Sequence, residues 1–341
     1  MIAPTTKDLA EVAGVSLATV DRVLNDRPNV SPKARLKVQN AIEQTGFVRN
    51  LAAVNLSRNR PYKFRFLFPE AGDQYLSELM REVEEAKQAL RTDMTVVENV
   101  RQDMRDPHAV AKYLGTIEHS EIDGIAVMAP ESPPVRDAIS RLHERGVNVV
   151  QFLSGQENLD NFDFVGVNNF AAGATAGRII GRFLRGAVGS VMVIAETMQS
   201  LDSIERRHGF DEIINSRFPD LQPLPSLETY GSKKRAEKII ANQIKHSDDV
   251  IAVYVLSTEA RLAVETVQRQ LNLQDTVLVV HERTPFSETA LKHEEIDAII
   301  AQNPGHAVRS ALRILRARSE ERNPIAAQES VRIEVLLCEN L

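Results

Sequence analysis

The 341-residue sequence has no tryptophan and a single cysteine, Cys338. One thiol cannot close an internal disulfide, so burial and hydrogen bonding must hold the fold, as expected for a cytoplasmic protein. Aromatic residues make up only 5%. No apolar run approaches the roughly 18 residues of a membrane-spanning helix. The opening MIAPTTKDLAEVAGV lacks the basic stretch and apolar core of an export signal. The usual motifs of reaction chemistry are also missing. There is no GxxxxGK[ST], GxSxG or HExxH, and no GxGxxG after a strand, so phosphate handling, acyl transfer and metal-assisted hydrolysis lack their parts. The eight histidines show no metal-ligand spacing, and His281 beside Glu282 reads as a structural histidine. No catalytic residue, metal or cofactor is expected.

What is present is unevenly distributed. Net charge is −6, yet residues 1 to 63 carry ten Lys/Arg against five Asp/Glu, and the other 278 residues carry 31 against 42. Charges farther apart than a Debye length of about 10 Å are screened, so the local patch decides what a region attracts. A basic head on an acidic body implies a small nucleic-acid module joined to a domain with another task.

The head reads as three short helices. Thr5 and Asp8 have capping-box spacing, so a helix starts near Thr6, buries Leu9, Ala10, Val12 and Ala13, and ends at Gly14. Ser16 caps a second helix with Val20, Val23 and Leu24 on one side, and Asn25-Asp26 stops it. Ser31 caps a third, with Pro32 at its first position, Val38 and Ile42 inward and Gly46 past its end. Two helices joined tightly around a glycine make a helix-turn-helix, whose second helix fits a major groove about 12 Å wide. A generic three-helix scaffold is the plainer alternative.

The stretch TTKDLAEVAGVSLATVDRVLNDRPNVSPKARLKVQNAIEQTGFVRN, with its AGVS-x-x-TV-x-RVLN core, resembles the headpiece of the LacI/GalR family of bacterial regulators. NLAAVNLSRN resembles that family's hinge helix. The resemblance implies DNA contacts at Thr5, Ser16, Leu17, Ala18, Thr19, Arg22 and Asn25, and at Asn50, Ala53 and Leu56 in the hinge. Leu56 would act as a minor-groove wedge that bends the duplex; the alternative is a linker residue tucked against the next domain. Arg22 suits a bidentate bond to guanine, while Leu17 and Ala18 suit thymine methyls. Leu17 also fits a core position, three residues before Val20. Asp21 departs from the family, which usually carries a phosphate-facing serine there.

From Lys63 onward, strand and helix alternate. Strands are expected at 64–68, 94–100, 124–129, 147–153, 190–195, 250–256, 276–281, 297–301 and 331–337. Helical stretches between apolar, β-branched strands indicate parallel sheets covered on both faces. A break near residues 155 to 170 separates two lobes. FVGVNNFAAGATAGRII, ERRHGF and VVHERTPFSETALKHEEIDAIIAQNP resemble the sugar-binding fold of periplasmic binding proteins and LacI-family effector domains. The expected fold is therefore α/β: an all-α helix-turn-helix headpiece (1–49), a hinge helix and linker (50–62) and a two-lobed domain with parallel sheets (63–341).

Carried over residue by residue, Arg206 matches the family's sugar-binding arginine, Glu282 falls where ribose-type binders have aspartate, and Gln302 matches their glutamine. Gln74 and Tyr75 occupy positions that often bear sugar-stacking aromatics. A guanidinium, a carboxylate and an amide together offer donors and acceptors to vicinal hydroxyls; the alternative for each is a surface or lobe–lobe salt bridge. Leu153-Ser154 replaces an Asp-Arg pair and Ser257-Thr258-Glu259 replaces an Asn-Asp-Glu run, so the cleft favours something other than ribose. The sequence thus implies a homodimeric transcriptional regulator of a pseudo-palindromic operator, controlled by a sugar or polyol. A soluble sugar-binding protein without a DNA role is the alternative.

Overall fold

The computed structural model describes residues 4–24, 30–47, 60–247, 249–271 and 275–341. They fall into two compact units, Met1–Arg60 and Pro61–Leu341.

In the first unit, α1 spans Thr6–Ala13, α2 Leu17–Leu24 and α3 Pro32–Thr45. The capping box forms in full: the Thr5 amide donates to Asp8 at 2.7 Å, and the Asp8 amide donates to Thr5 Oγ1 at 3.3 Å. Gly14 ends α1 in the left-handed region at φ +59°, which a side chain would strain. Ser16 Oγ accepts from the Thr19 amide at 3.1 Å, and Ser31 Oγ from the Ala34 amide at 3.2 Å. Leu9, Ala13, Val20, Val38, Ala41 and Phe47 form the small core. Val12, expected inside, is exposed.

The second unit is two α/β lobes. The first holds β1 (Tyr62–Pro69), α4 (Gln74–Ala89), β2 (Thr95–Gln102), α5 (Pro107–Thr116), β3 (Gly124–Val127), α6 (Pro133–Glu144), β4 (Asn148–Phe152) and β5 (Asp163–Val165). Its sheet is parallel in the order β2-β1-β3-β4-β5. Alternation along β1 sends Phe64, Phe66 and Phe68 to one face and Leu67 to the other, so each face has its own core.

The chain then crosses to the second lobe. There follow α7 (Asn169–Phe183), β6 (Gly189–Ala195), α8 (Leu201–Arg217), β7 (Leu221–Pro223), β8 (Leu227–Glu228) and α9 (Lys233–His246). After them come β9 (Val250–Val255), α10 (Arg261–Gln268), β10 (Val277–His281), α11 (Pro285–Lys292) and β11 (Ala298–Ala301). A second crossing returns α12 (Pro304–Ser319) to pack on the first lobe with Ala307, Val308, Ala311 and Leu315. After α13 (Ala326–Glu329), a third brings β12 (Glu334–Leu336) back antiparallel to β11. The second sheet runs β12-β11-β10-β9-β6-β7, with β8 also on β6.

All nine expected strands appear. The short β5, β7 and β8 were not foreseen, and the last strand shrinks from 331–337 to 334–336 because residues just before it form the crossing. The lobe break falls right after β5.

Candidate functional site

Two regions carry the expected site residues. In the headpiece, α2 turns Val20 fully inward and leaves Leu17, Ala18, Asp21 and Arg22 exposed along one side. Leu17 is 47% exposed, which removes it from the core and leaves it on the outward face. Thr5 and Ser16 are exposed at the starts of α1 and α2, both engaged in capping, and Thr19 Oγ1 lies 2.8 Å from Ser16 Oγ. Asn25, Asn50, Ala53 and Leu56 lie outside the described residues.

In the body, Arg206, Glu282 and Gln302 meet although 76 and 96 residues separate the latter two from the first. Arg206 sits on α8 and is 3% exposed. Its Nε donates to Asn169 Oδ1 at 2.9 Å, its Nη1 to the Leu256 carbonyl at 2.9 Å, and its Nη2 to Glu282 Oε1 at 3.4 Å. Gln302 Nε2 donates to the same carboxylate oxygen at 3.1 Å. Glu282, 1% exposed, follows β10 in the left-handed region at φ +64°. A buried glutamate there is a strained choice, of the kind that concentrates at ligand clamps. Burial pushes its pKa up, opposed by the Arg206 charge and the Gln302 hydrogen bonds.

Asn169, unremarked in the sequence reading, completes this cluster. Asn168 caps α7 by accepting from the Ala171 amide at 2.8 Å, which frees Asn169 to hold Arg206. The helix pair that carries both residues packs very closely. A Cβ on Gly173 would stand 1.8 Å from the Arg206 carbonyl oxygen, and one on Gly209 1.9 Å from that of Phe170.

Tyr75, on α4 of the first lobe, faces the cluster closely enough to feel Glu282, Arg206 and Asp73. Burial, with the Glu282 charge adding, holds its phenol well above the usual range. Its hydroxyl and Gln302 Oε1 are buried without a hydrogen-bond partner. Two orphaned polar atoms beside one ion pair are costly unless something else satisfies them. Gln74 is placed differently: its Oε1 accepts from the Phe286 amide at 3.1 Å, at the start of α11 in the other lobe. Beside it, Thr258 donates to Asp73 Oδ2 at 2.5 Å, a second polar tie between lobes. Glu196, raised by burial and by Asp73 and Glu259, adds acidity nearby. His281 is fully buried against Tyr254, its Nε2 2.7 Å from the phenol oxygen, and burial holds it well below its usual pKa. It is therefore a neutral structural histidine.

Residues 5–50 match the family described as bacterial regulatory proteins, lacI family, and residues 64–322 match the periplasmic binding protein domain. The chain belongs to the periplasmic binding protein domain family over most of its length, and its first fifty residues match the lacI family. Similar LacI-type proteins include the HTH-type transcriptional regulator DegA of Bacillus subtilis. It is 30% identical over 121 residues, which cover 36% of this chain and 35% of DegA. Catabolite control protein A of Priestia megaterium is 30% identical over 125 residues, 37% of this chain and 36% of that protein. These matches span little more than a third of the relatives' length. The sucrose operon repressor of Streptococcus mutans matches farther, at 25% identity over 80% of this chain and 82% of the repressor. Among solved structures, a solute-binding protein of an ABC transporter from Actinobacillus succinogenes, with bound D-allose, superposes with a TM-score of 0.73 at 14% identity. That match covers 82% of this chain and 98% of the other. A putative LacI transcriptional regulator from Bacteroides fragilis gives 0.71 at 18% identity, with the same coverage. At these identities the superpositions establish the fold alone. No helix among the described residues is long and apolar enough to cross a membrane.

Proposed function

We propose that this chain is a LacI-type, sequence-specific DNA-binding regulator, most simply a repressor, whose operator affinity is set by a sugar or polyol held between the two lobes. Acting on DNA, it works in the cytoplasm, as a homodimer on a pseudo-palindromic operator. The observation that carries the effector half is the convergence of Arg206, Glu282 and Gln302 with the orphaned Tyr75 hydroxyl and Gln302 Oε1. A ligand hydroxyl donates to Gln302 Oε1, another accepts from Tyr75, and the Arg206–Glu282 pair orients both. Since that pair is almost fully buried, the lobes part to admit the ligand and close over it. The exposed α2 face supports the DNA half: Arg22 bonds guanine, while Leu17 and Ala18 meet thymine methyls. Asn25, Asn50, Ala53 and the Leu56 wedge complete the contacts that the family resemblance implies.

The test of the DNA half is selection of a preferred duplex from random sequence, followed by titration of wild type and Arg22→Ala. The variant should lose about 1–3 kcal/mol on the selected site and little on unrelated DNA. Equal loss on both would make Arg22 a phosphate contact. Failure of the wild type to enrich any sequence would favour a sugar-binding protein without a DNA role.

A further inference from the structure

We propose that the second lobe carries another ligand site, for a small, multiply charged phosphate-type anion, where α7 and α8 end. A cavity of about 420 Å³ there is lined by Arg178, Arg182, Arg185 and Arg217, with Asp220 the one carboxylate in its lining. Arg178 and Arg182 are one turn apart on α7, Arg185 follows its end, and Arg217 is the last residue of α8. Among the described residues, none of the four enters an ion pair or side-chain hydrogen bond. Many other arginines of the body behave differently: Arg81, Arg136, Arg207, Arg313 and Arg318 all sit against carboxylates.

Like charges one helical turn apart repel by about 0.2–0.5 kcal/mol per pair. The negative ends of the helix dipoles offset this for Arg182 and Arg217 in last turns and for Arg185 just past the end of α7, so the cluster is tolerated as it stands. The cluster also stands out on a body with eleven more acidic than basic residues. Four guanidinium forks around one cavity suit phosphate oxygens, which they bind in paired hydrogen bonds. A cavity of this volume has room for a diphosphate or triphosphate group. Gly173, Gly177 and Gly209 let α7 and α8 pack closely, which sets the relative placement of the helices that bear Arg178, Arg182 and Arg217. None of Arg206, Glu282 or Gln302 lines this cavity, so the site is separate from the proposed effector cluster.

The test is calorimetric titration of the full chain with pyrophosphate, tripolyphosphate and adenosine diphosphate at roughly 0.15 M salt, where weak surface attraction is screened. One anion per chain should bind with a Kd below about 1 mM. A tighter diphosphate nucleoside than pyrophosphate would identify an organic phosphate as the natural source, and the reverse a free polyphosphate. Arg182→Gln/Arg217→Gln should weaken binding at least about tenfold, because each loses a charge-assisted contact. Both positions are exposed, so the variant should melt with the wild type. Arg22→Gln, in the basic headpiece, should leave the binding unchanged. The proposal is overturned if none of the three anions binds, if binding survives the double substitution, or if Arg22→Gln abolishes it.

Discussion

The two lobes use one backbone device with opposite chemistry. In the first, β4 is followed by Leu153, in the left-handed region at φ +61°, whose amide donates to the Val165 carbonyl of β5 at 2.7 Å. In the second, β10 is followed by Glu282, at φ +64°, whose amide donates to the Ile300 carbonyl of β11 at 2.9 Å. In each lobe the paired strand then leads into a crossing, and an asparagine, Asn168 or Asn303, caps the helix beyond it. The first lobe fills its special position with a leucine packed among phenylalanines; the second fills it with a buried carboxylate paired to Arg206. The fold thus builds two equivalent positions at the ends of β4 and β10, and only the second carries a polar side chain.

The comparison can be broken by substitution on either side. Arg206→Ala strips the partner from a buried carboxylate and should cost about 3–5 kcal/mol in urea unfolding. A cost near zero would mean that Glu282 is solvated or protonated in place. Leu153→Ala, the matching change in the first lobe, should cost about 2–3 kcal/mol through lost packing, and the effector should still bind. Loss of ligand binding there would show that the first lobe does contribute to recognition.

Acid sharpens the contrast further. His281 is buried and neutral, with its folded pKa depressed below the usual 6.5. As pH falls through about 6.5 the unfolded chain gains a proton that the folded chain does not. Stability from this group is therefore present above that pH and is lost below it, at up to about 1.4 kcal/mol per pH unit. Unfolding midpoints from pH 8 to 5.5 should follow this slope in wild type and flatten in His281→Gln; equal slopes would remove His281 as the cause. The smallest effect is expected from Asn169→Ala, about 1 kcal/mol for one lost hydrogen bond to Arg206, with a larger fall in ligand affinity than in stability. Stability loss with unchanged ligand affinity would make Asn169 a packing residue only.

These two lobes also mark how far the sequence could be read. The capped helices of the headpiece were legible because Thr5, Asp8, Gly14, Ser16 and Ser31-Pro32 act within a few residues of one another. The long strands were legible from their β-branched runs. β5, β7 and β8, at two or three residues each, are too short to show a period. Arg206, Glu282 and Gln302 could be named individually, yet their contact depends on two separate strand ends and a helix arriving together. Gln74, expected at the effector site from its place at the start of α4, also accepts from the Phe286 amide of the opposite lobe, a tie that no local pattern shows. Asn169 was hidden beside Asn168, since adjacent asparagines do not reveal which one caps and which is left for Arg206.

The most direct test of the central claim is operator titration of wild type and Arg206→Gln, with and without the effector found by thermal-shift screening of sugars and polyols. For the wild type, effector should change operator affinity by about 5- to 150-fold, the usual range of coupling between sites. Arg206→Gln should bind the operator as the wild type does without effector and show no response when it is added. A variant that responds with the wild-type factor at the same effector concentration would contradict the assignment of Arg206, Glu282 and Gln302 as the effector site.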